Sequence, residues 1–518
     1  MSIESKASIA APLHLGDDAC SPSESGASMQ LMERAPPLWR SSRLRVCLLL
    51  SVLNGCSYAQ QVALGVSLVF MVKPLNGSHH GSGSPTVDNN GSDSSVEHDT
   101  RLDWSRPVQG WVMGAFYWGY TIGQIPASVS VQRLGAQRTL LCWQLAAILI
   151  GLSLPVVVQL GPVTFAVLRA VCGFLLLASV DVIARWAPTS ERTLLVNLKG
   201  AGQSAGLLVT FGLGAPLCVA AGWQALFYAT GAVSLCSWFA WWLFGSDSPE
   251  SDRWVGIEEK EFVAVSACLV PQLRQQRRVV PWSRLFRSKA VFATVAAMVA
   301  IDFHGYLLTS FLPTFMSEVL LVDQRWLGAL SAAPFAALAL GAVGSGALAD
   351  AIRRVYSNHN LFRRLQTGLS LLGGASLLLL SSALGSPSSA APALALVAAA
   401  ELLYSASAIE AFAVEFAPAH AAAVVALANV LGNACGVLSA LAVGQLTAEG
   451  TPDGWLRVFQ LNFGVSCAAA AVFFVAGDNT VQSWATPLLP AIADPSAAEN
   501  NTETNDDAKV PANTVAAK

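Results

Sequence analysis

Four ionisable side chains stand inside long apolar runs of this sequence. Asp302 and His304 interrupt AVFATVAAMVAIDFHGYLLTSFLPTF, Arg169 lies in VTFAVLRAVCG, and Glu401 lies in APALALVAAAELLYS. Runs of this kind are long enough to cross a bilayer, where an ionisable group is costly unless it pairs, lines water or moves ions. The types present define the chemistry on offer. A guanidinium presents a planar fork of donors that suits a carboxylate or phosphate. A carboxyl or imidazole at membrane depth can take up and release a proton.

Spacing sorts these residues into faces. Asp302, Tyr306 and Thr309 recur at i, i+4 and i+7 and so share one side of a helix, as a cavity-lining stripe does. His304 projects roughly 200° from Asp302 on an unbroken helix, so the two are not an obvious local pair. Glu401, Tyr404 and Ser405 share a face by the same logic, and Glu401 is deep enough to carry a proton. Each has a plainer reading: an arginine reaching for the surface, an acid locking two helices, a core histidine bonded to a carbonyl. Lys199, in VNLKGAGQSAG, reads equally well as a cation reaching the cytosolic face or as part of a site. Asp181 and Arg185, four apart near a helix end, read as a structural pair.

The elements that position these groups follow from composition. The chain has 518 residues, of which 53% are hydrophobic and only 12% charged, with a mean hydropathy of +0.51. That charge cannot cover a soluble surface of this size, so a multi-pass membrane protein is expected. Twelve apolar runs separated by turns or charges lie at 46–72, 108–131, 139–158, 162–185, 194–219, 223–245, 290–315, 326–349, 362–384, 391–413, 419–445 and 456–477. Arg and Lys collect in alternate loops: Arg133 and Arg138, Arg185 and Arg192, Arg253 to Lys289, and Arg353 to Arg364. The intervening short loops at 158–162, 219–223 and 384–391 carry none, which by the positive-inside rule predicts cytosolic termini.

The domain layout expected is an all-α protein of twelve transmembrane helices in two six-helix halves. Residues 1–45 and 478–518 read as disordered cytosolic tails, 46–245 and 290–477 as the halves, and 246–289 as a basic cytosolic linker. The Gly/Ser/Asn-rich segment 73–107 reads as a long lumenal or extracellular loop, with glycosylation sequons at Asn76 and Asn90. Asn500 falls in the second tail and should stay bare.

Other classes find no support. The cysteines sit mostly singly in apolar runs without metal spacing, and no basic stripe with interleaved aromatics suggests nucleic acid. There is no nucleophile elbow, HExxH or phosphate loop, so neither an enzyme nor a cofactor is expected.

Two sets of motifs carry a resemblance. GALADAIRR, with Gly346, Asp350, Arg353 and Arg354, resembles the gating loop G-x-x-x-D-x-x-x-R/K of major facilitator transporters. The equivalent first-half loop ASVSVQRLGAQR keeps Arg133, Gly135 and Arg138 but has Gln132 in place of the acid. FYWGYTIGQIP, WAPTSER, WWLFGSDSPE followed by EEKEF, EFAPAHAA and TVQSWA occur in the order and spacing of the anion:cation symporters, solute carrier family 17. The resemblance, over about residues 45–485, implies a major facilitator fold. It also implies a secondary transporter that moves a small organic or inorganic anion by alternating access, coupled to H+, Na+ or membrane potential.

The resemblance makes Arg169 the anion-holding residue and places Tyr120 in its second-span motif, and Gln61 and Tyr306 join Tyr120 as expected polar contacts. From their depth in apolar runs, Asp302, His304 and Glu401 are candidates for ion coupling. The family's charged cavity set is thin here: Gln61 and Ile301 stand where relatives can have arginine, Met113 stands for a histidine, and the fourth-span glutamate is missing near Leu175 and Leu176. A neutral or zwitterionic solute, or a non-transporting receptor, therefore stays open. Expected partners are a small solute, a cation and the bilayer of the plasma membrane or an endomembrane, with the chain acting as a monomer.

Overall fold

The computed structural model describes residues 37–73, 101–175, 180–188, 191–269, 280–355, 358–384, 387–407, 409–418 and 420–485. Sixteen α-helices lie within them. The first seven are α1 (Ser42–Met71), α2 (Arg106–Leu134), α3 (Ala136–Val157), α4 (Pro162–Phe174), α5 (Val180–Trp186), α6 (Arg192–Ala221) and α7 (Trp223–Phe244). Two short ones follow, α8 (Ile257–Leu269) and α9 (Trp282–Leu285). The rest are α10 (Lys289–Glu318), α11 (Gln324–Val355), α12 (His359–Ala383), α13 (Ala390–Ser405), α14 (Ile409–Phe416), α15 (Ala421–Leu446) and α16 (Pro452–Ala476).

Among the described residues, nine spans are long and apolar enough to cross a membrane, and no strands occur beyond one isolated bridge between Val72 and Leu102. Large apolar side chains point outward along the helices, as with Val475 at 83% and Val163 at 76% exposure. A surface of that kind is expected where lipid is the solvent. Helices turn tightly where glycine allows it: Gly135 (φ 86°) joins α2 to α3 and Gly222 (φ 80°) joins α6 to α7, both in the left-handed region.

The helix pairings repeat. In the first set α1 packs on α6 and α7, α2 on α4, and α3 on α7. In the second set α10 packs on α15 and α16, α11 on α13, and α12 on α16. The most extensive contacts between the sets are α1 with α10, α2 with α15, and α6 with α11.

Small residues permit those joints. A Cβ on Gly110 would lie 2.6 Å from the Ala440 carbonyl oxygen and 2.9 Å from the Gly444 Cα, so α2 and α15 touch backbone to backbone. Gly328 meets Gly212 and Pro216 in the same manner, and Phe211 stacks on Phe335 at 4.5 Å. Arg106, at the start of α2, forms an ion pair with Glu318 at the end of α10. These joints all lie toward the helix ends marked by Met71, Arg106, Ala221, Glu318, Gln324 and Leu446.

The opposite end is rich in charge pairs. Glu259 of α8 accepts from the backbone N–H groups of Ser42 and Arg43 at 2.9 and 3.0 Å, where the exposed N–H groups of the α1 terminus attract an anion. The Arg43 side chain joins Glu259 at 3.1 Å and Glu191 at 3.0 Å. Arg45 pairs with Asp252 at 2.5 Å, and Arg363 with Glu415 at 2.5 Å.

Two tail boundaries need correction. Residues 37–45, expected in a loose tail, begin with a 3-10 turn (Leu38–Arg40) and enter α1 at Ser42, because the Arg43 ion pairs anchor them. Residues 478–485 are packed as well: Gln482 N–H donates to the Phe416 carbonyl at 2.9 Å, and Trp484 stacks on His420. Burying that indole holds the segment down. The remaining tail residues, and Asn76, Asn90 and Asn500, lie outside the described residues.

Candidate functional site

Arg169 is set by the approach of α4 to α2. Gly119, Gly123 and Gly173 bring the two backbones into contact, and a Cβ at Gly119 would overlap the Ala170 carbonyl. The guanidinium then reaches α1. Its Nη2 donates to the Gln61 carbonyl at 3.1 Å and its Nη1 to the Gln60 carbonyl at 3.5 Å, while its carbon lies 5.0 Å from the centre of the Phe116 ring. Arg169 is 4% exposed and does not reach for the surface. Among the described residues no carboxylate touches it, and Nε has no partner. A small cavity beside it is lined by Ser57, Gln60, Gln61, Phe116, Arg169 and Thr230. Gln61 therefore meets Arg169 through its backbone carbonyl.

From Phe116 an aromatic band crosses between the two helix sets. Phe116 stacks on Tyr120 at 6.4 Å and meets Tyr117 edge-on at 5.7 Å. Tyr117 lies 4.4 Å from Tyr306 and its hydroxyl bonds the Ser310 hydroxyl at 2.9 Å. Tyr306 donates to the Asn433 carbonyl oxygen, and the Tyr58 and Tyr120 hydroxyls lie beside each other. Gly436 makes this possible, since a Cβ there would sit 2.8 Å from both the Tyr117 and Tyr306 rings.

Asp302 stands at the far side of the band. It is half-buried, wedged against Gly432, and within electrostatic reach of Tyr58, Tyr120 and Tyr306. Thr309, expected on the same stripe, turns its hydroxyl back to the Gly305 carbonyl at 2.8 Å. Ile301 packs into the apolar cluster of the second helix set.

The expected coupling residues separate into two places. His304 Nε2 lies 3.1 Å from Glu401 Oε1, with the two side chains 1% and 3% exposed. The imidazole also stacks on Tyr404 at 3.7 Å, and the Tyr404 hydroxyl bonds Ser466 at 2.7 Å. The carbonyl expected as the plain partner of His304 is thus replaced by a carboxylate of α13. Ser405, expected on the Glu401 face, bonds the Leu402 carbonyl of its own helix.

The residues expected to gate are partly visible. Gly346, Asp350, Arg353 and Arg354 fall in the last turns of α11, but their side chains lie outside the described residues. Arg133 and Arg138 are exposed at the junction of α2 and α3. At this junction Asp247 accepts from the Gln137 N–H at 3.2 Å and pairs with Arg185 at 2.5 Å. Arg185 thus has Asp247 as a partner, while the side chain of Asp181, expected to pair with it, lies outside the described residues.

Asp247, Tyr58, Tyr117 and Asn433 were not singled out from sequence. Asn433 carried a usable signal, one of two amides inside the apolar run VVALANVLGNACG. The tyrosines carried none, because aromatic residues in apolar runs are ordinary core.

Comparison with known proteins agrees with this geometry. The pattern of the Major Facilitator Superfamily matches residues 50–440. Human sialin is 27% identical over 87% of this chain and 92% of its own length. Mouse sodium-dependent phosphate transport protein 3 is 26% identical over 86% and 95%. Human vesicular glutamate transporter 2 is 24% identical over 90% and 80%. These relatives bear out the resemblance to anion carriers. Among solved structures, a bacterial homologue of the human lysosomal transporter Spinster, inward-facing and unoccupied, superposes with a TM-score of 0.63, at 13% identity over 85% of this chain and 97% of its own. A D-xylose-proton symporter gives 0.59 at 14% identity, covering 85% and 98%.

Proposed function

Because the chain belongs to the Major Facilitator Superfamily and is a multi-pass membrane transporter rather than an enzyme, we propose that it carries a small organic or inorganic anion by alternating access. The relatives named for phosphate and glutamate transport support that solute class. The observation that carries the reading is Arg169, a buried cation held by backbone carbonyls with no acid among the described residues beside it. Carbonyl oxygens orient the fork without neutralising it, so an incoming anion is the counter-charge the site lacks.

In this reading the chain has twelve spans in two six-helix halves, 46–245 and 290–477, with cytosolic termini and the cytosolic linker 246–289. The joints between the halves then lie on the outer side, which makes this an inward-facing state. Closing the inner side would bring Gly346, Asp350, Arg353 and Arg354 of one half and Arg133 and Arg138 of the other into play. Tyr120 and Tyr306 line the path as polar contacts. Coupling to H+, Na+ or membrane potential falls to the His304–Glu401 pair, where an imidazole and a carboxylate share a site sealed from the solute path. The carrier works as a monomer in the plasma membrane or an endomembrane, glycosylated at Asn76 and Asn90.

The test is uptake of radiolabelled phosphate, glutamate and simple carboxylates by purified protein in liposomes, under imposed pH, sodium and voltage gradients. Saturable uptake of at least one anion is the expected result. Uptake indistinguishable from protein-free liposomes under every gradient sinks the reading.

A further inference from the structure

We propose that Asp302, with the rings of Tyr58, Tyr120 and Tyr306, forms a subsite for an ammonium group, so that the solute is a zwitterion whose carboxylate goes to Arg169. This rests on the anion-carrier reading and narrows its solute class.

Glu410 is within electrostatic reach of Asp302 and adds negative charge to its surroundings, while other acids of the fold have partners of their own. Glu401 meets His304, Glu318 meets Arg106, Glu415 meets Arg363, and Glu259 meets Arg43. Among the described residues no Lys, Arg or His forms an ion pair or hydrogen bond with Asp302. It nonetheless keeps part of its surface accessible. Gly432 backs the carboxylate directly, and a side chain there would overlap it. The acid is therefore pressed against the α15 backbone without a cationic partner among the described residues.

The surroundings have the composition of a cation site. Four of the seven tyrosines in the chain, Tyr58, Tyr117, Tyr120 and Tyr306, gather between Arg169 and Asp302. The face of an aromatic ring attracts an ammonium group, and the attraction strengthens away from bulk water. A carboxylate with several such rings holds an amine better than it holds the hydrated anion that Arg169 would take.

The two poles also come from different helix sets. Arg169 is on α4 and Asp302 is on α10, with Phe116, Tyr117 and Tyr306 stepping between them. A solute with one charge at each end contacts both sets at once. A plain anion contacts only one. Bipolar recognition thus gives the solute a direct hold on the relative position of the helix sets.

The experiment uses full-length protein in nanodiscs and two matched series: β-alanine, γ-aminobutyrate, 5-aminopentanoate and 6-aminohexanoate against propionate, butyrate, pentanoate and hexanoate. Binding is read by calorimetry. One length of the amino series is expected to bind about tenfold or more tighter than its plain acid, the scale of a single desolvated cation contact. Asp302→Asn should collapse that ratio towards one, Asp302→Glu should retain part of it, and Arg169→Ala should weaken both series. An unchanged ratio in Asp302→Asn overturns the proposal, as do plain acids that bind as tightly at every length. If Asp302→Asn keeps the ratio but loses pH-driven accumulation in liposomes, the carboxylate serves coupling and the ammonium role is wrong. Failure of both series to bind removes the anion reading itself, and this inference with it. Melting temperatures of the variants separate loss of recognition from loss of fold.

Discussion

Arg169 and Glu401 occupy corresponding stations and are satisfied in opposite ways. Each lies on a helix that precedes a short separate one, α4 before α5 and α13 before α14, and each reaches the first helix of its own set. Arg169 finds backbone carbonyls of α1, whereas Glu401 finds the imidazole of His304 on α10. A carbonyl can orient a guanidinium but leaves its charge uncompensated, while an imidazole can share a proton with a carboxylate. The same packing geometry thus yields a place for a foreign anion in one set and a self-contained acid–base pair in the other.

The strongest way to break this contrast is at its cationic pole. Arg169→Ala is expected to lower saturable anion uptake by about a hundredfold or more, the scale of losing one buried charge-assisted contact, with the protein still folded by its melting profile. Uptake within a few-fold of wild type would show that the uncompensated charge is not where the solute binds.

The acidic pole should respond first in stability. His304→Ala leaves Glu401 buried without its partner, and a loss of about 3–5 kcal/mol is expected from breaking such a pair. The double variant His304→Leu with Glu401→Gln should recover much of it, which a thermal-unfolding double-mutant cycle reads directly. Additive losses would mean that the two groups do not act as a pair.

Between the poles, the backbone contact of α2 with α15 tests whether the sets move against each other. Gly110→Val is expected to prevent the close approach to Ala440 and Gly444, costing about 1–3 kcal/mol at that joint. Spin labels across the α2 and α15 ends should then report a wider separation in the variant than in the wild type. The smallest effect belongs to the charged end opposite the joints, where Arg185 and Asp247 are 43% and 23% exposed. Asp247→Asn is expected to change stability by about 0–1 kcal/mol, detectable as a small fall in the denaturation midpoint that shrinks at high salt.

Much of this was legible in sequence. The helix positions follow from apolar runs, and Arg169, Asp302, His304 and Glu401 stood out because charge inside such runs is rare. Family resemblance drew attention to Tyr120 and to the Gln61 position, and helix spacing added Tyr306. Legibility ended at contacts between helices. Thr309 and Ser405 share faces with acids by spacing, yet both hydroxyls fold back onto their own helix carbonyls. Tyr58, Tyr117 and Asn433 entered the site through neighbours far along the chain.

Sequence alone determined which segments are apolar enough to be buried in lipid and which side chains are anomalous there, because hydropathy is a local property and bilayer thickness sets the length of a span. Only the tertiary structure decided who meets whom. His304 and Glu401 are 97 residues apart, Arg169 and Gln61 are 108 apart, and Tyr117 and Ser310 are 193 apart. Glycines at Gly119, Gly173, Gly432 and Gly436 let those helices approach closely enough to choose the partners. A polar group in an apolar interior must find a partner, but which one it finds depends on the packing of whole helices and is not encoded by its neighbours in sequence.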